Sequence, residues 1–282
     1  MTTTTTSFFN ADIERWRAMR LERLTAPDGW LTLVGLPWLE QGDNRIGSSA
    51  DNAIVVEGLP AHLGNVHLDE NGVVTVALAA DSGACIDGEP GGSMEMRDDE
   101  HPEPTVVRSG DVSFFLIRRA ERVGLRIKNV HAVTRRDFRG LDYFPVDPSW
   151  RVEAAWHPAA PGEVLEMGTA IGTIETHPVA GRAVFERDGV RCELLPVIES
   201  PQDGRYFLVF ADQTSGRETY GAARFLYTEP PQDGRIVLDF NKAYNPPCVF
   251  TAFATCPMAP PENRLALRVT AGELAYRGAD PH

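Results

Sequence analysis

The chain has 282 residues, enough for one large domain or two of medium size, and 43% of them are hydrophobic, as in ordinary globular proteins. With 27 Lys and Arg against 40 Asp and Glu, the formal net charge is −13, a balance that repels nucleic acid and anionic lipid unless positive charge is locally concentrated. No apolar run approaches the roughly 20 residues a membrane span needs, and the run Thr2 to Thr6 lacks the basic and apolar regions of a signal peptide. Four cysteines (Cys85, Cys192, Cys248 and Cys256) with no Cys-x-x-Cys pair are too sparse for a secreted disulfide scaffold. The expectation is a cytoplasmic protein with reduced thiols and no nucleic-acid or membrane partner.

One long helix is predicted near 10–24. Asn10 suits an N-cap, Asp12 and Glu14 put negative charge in the first turn, and Phe9, Ile13, Trp16 and Met19 recur at helical spacing. Arg17, Arg20 and Arg23 load its later turns, and Pro27-Asp28-Gly29 ends it. From Trp30 the period becomes that of strands: 30–34, then 66–68 and 73–78 about Asn71-Gly72, then 112–117 with 124–130. Later, Asp188-Gly189 joins 183–185 to 190–194. Gln202-Asp203-Gly204-Arg205 and Gln232-Asp233-Gly234-Arg235 launch the strands 206–210 and 236–240. Frequent turns between short strands favour sandwiches or barrels over a parallel α/β sheet. The predicted fold is mainly β, with a helical segment at 1–29, a β-sandwich at 30–130, a connecting segment at 131–161 and a second antiparallel β domain, barrel or sandwich, at 162–282.

Asn44-Arg45-Ile46-Gly47-Ser48 with Asn52-Ala53-Ile54-Val55-Val56, then Gly83 to Gly88, then Arg108-Ser109-Gly110-Asp111 before a strand, resemble a forkhead-associated domain over about 42–118. That family places an arginine directly after Ile-Gly, whereas this chain has Ser48; its Ser-Arg-x-His stretch is replaced by Pro60-Ala61-His62-Leu63-Gly64. The resemblance therefore implies the sandwich and none of the arginine forks that grip a phosphothreonine.

In the second half there is no Gly-x-Ser-x-Gly, P-loop, Gly-x-Gly-x-x-Gly or His-Glu-x-x-His motif, so no cofactor is implied; His62 and His67 flank a turn and are not read as metal ligands. The informative stretch is Asp239-Phe240-Asn241-Lys242-Ala243-Tyr244-Asn245-Pro246-Pro247-Cys248-Val249-Phe250, continuing to Asn263-Arg264-Leu265 and Ala271-Gly272-Glu273. It is similar to the hallmark of the bacterial and archaeal domain-of-unknown-function family numbered 1684. Gly29 to Leu36, Phe138 to Leu141, Pro145 to Arg151, Asp212-Gln213-Thr214 and Thr219-Tyr220-Gly221 match its other landmarks. The resemblance implies no activity.

The residues themselves suggest a small-molecule site. Polar groups at a strand end, held by a stiff Pro-Pro exit, suit ligand binding. Asn241, Tyr244 and Asn245 are candidate ligand contacts, and Arg139, Arg151 or Arg224 would orient an anion through guanidinium forks. Asp239 or Glu273 would be the general acid or base of a conversion such as hydrolysis. Cys248 has no nearby histidine and reads as an inert thiol. Two alternatives remain at this point: the motif is a structural crossover whose amides bond local backbone, or the function is protein interaction through the forkhead-associated-like sandwich.

Overall fold

The computed structural model describes residues 2–200 and 202–278. It is a mainly β protein in which one long helix, Thr2–Thr25, precedes several antiparallel sheets. Two compact units are present: residues 25–138, and the helix up to Leu24 together with the chain from Arg139 onward. No helix among the described residues is long and apolar enough to cross a membrane.

The helix runs through Asn10, which is therefore not its cap. Ile13 and Leu24 are fully buried, Trp16, Arg17 and Arg20 are half-buried between them, and Met19 is turned outward. The stripe at 13, 16, 17, 20 and 24 has the spacing of one helical face, so an arginine takes the inward place expected for Met19. After the helix, the Gly29 carbonyl accepts from the Thr32 amide (3.1 Å) and hydroxyl (2.6 Å). That winds Trp30–Thr32 into a 3-10 turn where a strand was expected, and pairing begins only at Leu33–Gly35.

The unit of residues 25–138 is built on two sheets. The first orders its six strands Leu33–Gly35, Arg122–Asn129, Val112–Arg119, Val106–Ser109, Cys85–Ile86 and Glu89–Pro90. The second orders five: Ile54–Val55, Gly42–Gly47, Gly64–Leu68, Val74–Leu78 and Ser93–Glu95. Side chains alternate across each strand. Ile46, Val66 and Val76 from one sheet thus share a core with Val107, Phe114, Leu116 and Leu125 from the other. Each such side chain stabilises the unit by about 1.5–3 kcal/mol when fully buried. Between Gly64–Leu68 and Val74–Leu78 the expected turn forms. Asp69 organises it, its carboxylate accepting from the amides of Asn71 (2.9 Å) and Val73 (2.7 Å), while Gly72 takes φ 83.

In the other unit, a four-stranded sheet orders Val190–Leu194, Gly181–Arg187, Arg151–Pro158 and Arg235–Asp239. Arg151–Pro158 lies inside the segment expected to connect two domains. Only Ala154 of that strand is fully buried, so it lacks the alternation that would have marked it. Two hairpins complete the ladders, Val164–Gly168 with Ile174–Pro178 and Tyr206–Phe210 with Arg224–Thr228. Phe240 anchors the core, its ring 5.5 Å from Phe210, 5.9 Å from Trp150 and 6.0 Å from Phe185. From Phe240 onward the described chain has 3-10 turns and isolated bridges in place of strands. Backbone groups in such a segment need partners other than a ladder.

Candidate functional site

Where the strand Arg235–Asp239 ends, the Asp239 carboxylate caps the following 3-10 turn, accepting from the Asn241 amide (3.2 Å) and side-chain nitrogen (3.0 Å). Asn241 is buried and clamps another segment: its oxygen accepts from the Asp147 amide (3.0 Å) and its nitrogen donates to the Asp147 carbonyl (2.9 Å). Arg151 stands opposite Asp239 in the antiparallel register, on the side of the sheet away from the core. Lys242 adds its charge and bonds Asp12 of the helix at 2.7 Å. Burial pushes the Asp239 carboxyl above the usual carboxylate range, against the opposing pull of the Asn241 hydrogen bond, Lys242 and Arg151.

Six residues further on, the polar groups turn inward. Asn245 and Glu273 are each only 1% exposed. The Asn245 amide donates to one Glu273 oxygen (2.8 Å), and the Asn245 side chain donates to the Leu274 carbonyl (2.7 Å). Arg20 closes the ring, its Nε donating to the other Glu273 oxygen and its Nη2 to the Asn245 carbonyl, both at 3.0 Å. Its guanidinium also lies 4.7 Å from the centre of the Tyr244 ring. Burial raises the Tyr244 phenol, so it stays protonated. Gly272, at φ 83, allows the close approach: a Cβ there would sit 2.4 Å from the Ala243 carbonyl oxygen and 2.8 Å from Arg224 Nη2.

Arg224 is wholly internal. It pairs with Asp212 at 3.0 Å and donates to the carbonyls of Val269 (3.1 Å) and Ala271. Burial lowers its pKa while Asp212 opposes the shift. Asp212 in turn accepts from the Thr214 amide at 2.7 Å. Arg139 is exposed, and its backbone amide donates to the Tyr276 hydroxyl at 3.3 Å.

The candidate residues therefore fall into separate places. Asp239, Arg151 and Lys242 form an outward rim, and Asn241 fixes its base. Tyr244, Asn245 and Glu273 gather around Arg20. Arg224 is occupied by Asp212 and backbone carbonyls, which leaves it no part in orienting an external anion. Sequence reading missed Arg20 and Asp212. Arg17 and Arg20 sharing a helical face with Ile13 and Trp16 was the available signal, while nothing local ties Asp212 to Arg224. Among the described residues, no group of three or more His, Cys, Asp or Glu is placed to hold a metal ion. His67 instead contacts Asp43 at 2.6 Å, and His62 lies 3.4 Å from the Asn52 side-chain oxygen.

Residues 136–274 match the family model described as "Protein of unknown function (DUF1684)". The match takes in the landmarks from Phe138 to Glu273 and leaves Gly29 to Leu36 outside it. The chain is also similar to an uncharacterized protein of Haloarcula marismortui solved by solution NMR. The two are 33% identical over 51% of this chain and 81% of that one, with a TM-score of 0.44. No curated protein matches the chain.

Proposed function

We propose, for a chain whose residues 136–274 fall in a family of unknown function, that its C-terminal unit binds a small polar anion at the open rim beside Asp239. The observation that carries this reading is the in-register pairing of Arg151 with Asp239 on the outward side of the sheet, with Lys242 acting on the same carboxyl. An exposed guanidinium is suited to a carboxylate or phosphate, and in a chain of net charge −13 it is a local exception that Arg15, Arg151 and Lys242 gather about only Asp12 and Asp239. Asp239 is the group placed to move a proton in a conversion such as hydrolysis, since its half-buried carboxyl is harder to ionise than a free one. Asn241 is a positioning residue that fixes this carboxyl through two hydrogen bonds. Asn245, Glu273 and Arg224 support the rim from within and do not touch the ligand.

A thermal-shift screen of carboxylate and phosphate metabolites tests this. A ligand that raises the melting temperature is expected, with affinity lowered about tenfold or more in Arg151→Ala, the loss of roughly one good charged contact. A ligand indifferent to both Arg151→Ala and Lys242→Ala would move the site elsewhere, and silence across the panel would remove the reading.

A second reading rests on the other unit. A six-stranded and a five-stranded sheet around one core, with Val55 and Met94 exposed on the smaller, suit a protein-interaction module of forkhead-associated type. With Ser48 where an arginine would stand, paired phosphorylated and unmodified threonine peptides are expected to bind alike on an array.

A further inference from the structure

Cys248 sits on the 3-10 turn Pro247–Val249, half-buried, and Cys256 lies eight positions later, 6% exposed. The Cys248 amide donates to the Cys256 sulfur at 3.1 Å, which brings the second thiol against the first residue's own backbone. On the other side the Tyr220 hydroxyl donates to the Cys248 sulfur at 3.9 Å. We propose that Cys248 and Cys256 form a redox couple, in which a hydroperoxide oxidises Cys248 and Cys256 converts it to an intramolecular disulfide.

The roles follow from the surroundings. The thiolate is the attacking form of a cysteine. Hydrogen bonds from the Cys256 thiol and the Tyr220 phenol hold the Cys248 thiol below its ordinary pKa, against the effect of burial. The Tyr220 phenol is itself pushed up to about 12, first by burial, so it keeps its proton and remains a donor. Cys248, the more accessible of the two, meets the oxidant; Cys256, more buried and already beside it, resolves the product. Cys192 offers a contrast: its thiol is buried, it donates to the Val190 carbonyl at 3.8 Å, and burial raises its pKa.

The chemistry balances with one hydroperoxide. The Cys248 sulfur donates an electron pair to the terminal peroxide oxygen, the O–O bond breaks, and the departing alkoxide takes a proton from water. The sulfenic acid so formed is attacked by the Cys256 sulfur. The S–S bond forms as the S–O bond breaks, and the hydroxide leaves as water with the proton Cys256 gives up. Two thiols lose two electrons, and the peroxide becomes an alcohol and water.

The test uses the full reduced chain and hydrogen peroxide. Intact-mass spectrometry is expected to show the loss of two hydrogens, and peptide mapping a Cys248–Cys256 link with Cys85 and Cys192 still open to alkylation after unfolding. In Cys256→Ser, dimedone is expected to capture a sulfenic acid on Cys248. Tyr220→Phe keeps the ring and is expected to slow oxidation several-fold. Persistence of both thiols under excess peroxide, or a link that involves Cys85 or Cys192, would overturn the proposal; the wild-type mass alone decides this if a variant does not fold.

Discussion

The two units bury their backbone in different ways. In residues 25–138 the strand ladders of two sheets frame the interior, which is aliphatic and aromatic, from Ile46 to Phe114. In the other unit the ladders stop at Asp239, and side chains take over the task. Asn241 closes on Asp147, Asn245 and Glu273 close on each other and on Arg20, and Asn263 donates to the carbonyls of Leu195 and Val209. A polar side chain that pairs with backbone replaces a hydrogen bond that a ladder would have supplied. The dense polar motif of 239–275 is therefore in large part an architectural necessity of a strandless segment, and only its outermost members are free to serve a ligand.

The sharpest way to break this comparison is to remove the acid of the buried ion pair. Asp212→Ala strands Arg224 in a dry interior and is expected to cost about 3–5 kcal/mol by urea denaturation. Replacing both partners, as Asp212→Leu with Arg224→Met, should recover much of that. No recovery in the double variant would mean that the Val269 and Ala271 carbonyls need the guanidinium more than Asp212 does. Gly272→Ala comes next. A side chain at φ 83 is strained by about 1–3 kcal/mol, and its Cβ would also meet the Ala243 carbonyl oxygen at 2.4 Å. An unchanged melting curve would show that the segment yields readily.

Asn245→Ala removes one internal amide and is expected to cost about 1–3 kcal/mol. Asn44→Ala is the matching change in the other unit. There the side chain makes four bonds, three within its own turn through Glu40 and Gly42 and one to Val66, so the loss is expected to be at least as large. A smaller loss would show that water reaches the turn and replaces those bonds.

The smallest effect concerns pH. Because the folded protein raises the Asp239 pKa, the group's stabilising contribution is complete below its unfolded pKa and is lost as pH rises through its folded one. Asp239→Asn, which can still accept from Asn241, is expected to be slightly more stable than the parent at neutral pH, with the difference closing in acid. A gap that does not narrow on acidification would mean that burial does not control this carboxyl.

Much of the strand pattern was legible in the sequence, because hairpins announce themselves locally. Asp188 (φ 52) and Gly189 (φ 74) both take the positive φ that a tight turn needs, and the strands on either side pair as expected. Identical letters can still diverge. Asp233 and Gly234 form such a turn, with reciprocal Gln232–Arg235 backbone bonds, whereas at 203–204 only Gly204 has positive φ. The strand Arg151–Pro158 was hidden because half-buried Ala155 and Trp156 stand side by side and break its alternation. At the candidate site, Asp239 could be named from its strand end, and Arg151 only as one of the arginines in and after the connecting segment. Arg20 could not be joined to Glu273, nor Asp212 to Arg224, since such pairings depend on tertiary packing that leaves no periodic trace.

The Arg20–Glu273 pair spans 253 positions of chain, and this has a consequence for synthesis on the ribosome. The helix is made before residues 25–138, which contain a core of their own and can fold as they appear. Arg20 must wait for its partner until residue 273 has been translated. Its charge helps to keep that waiting face hydrated. A ribosome that stops short of Glu273 would leave this contact unmade.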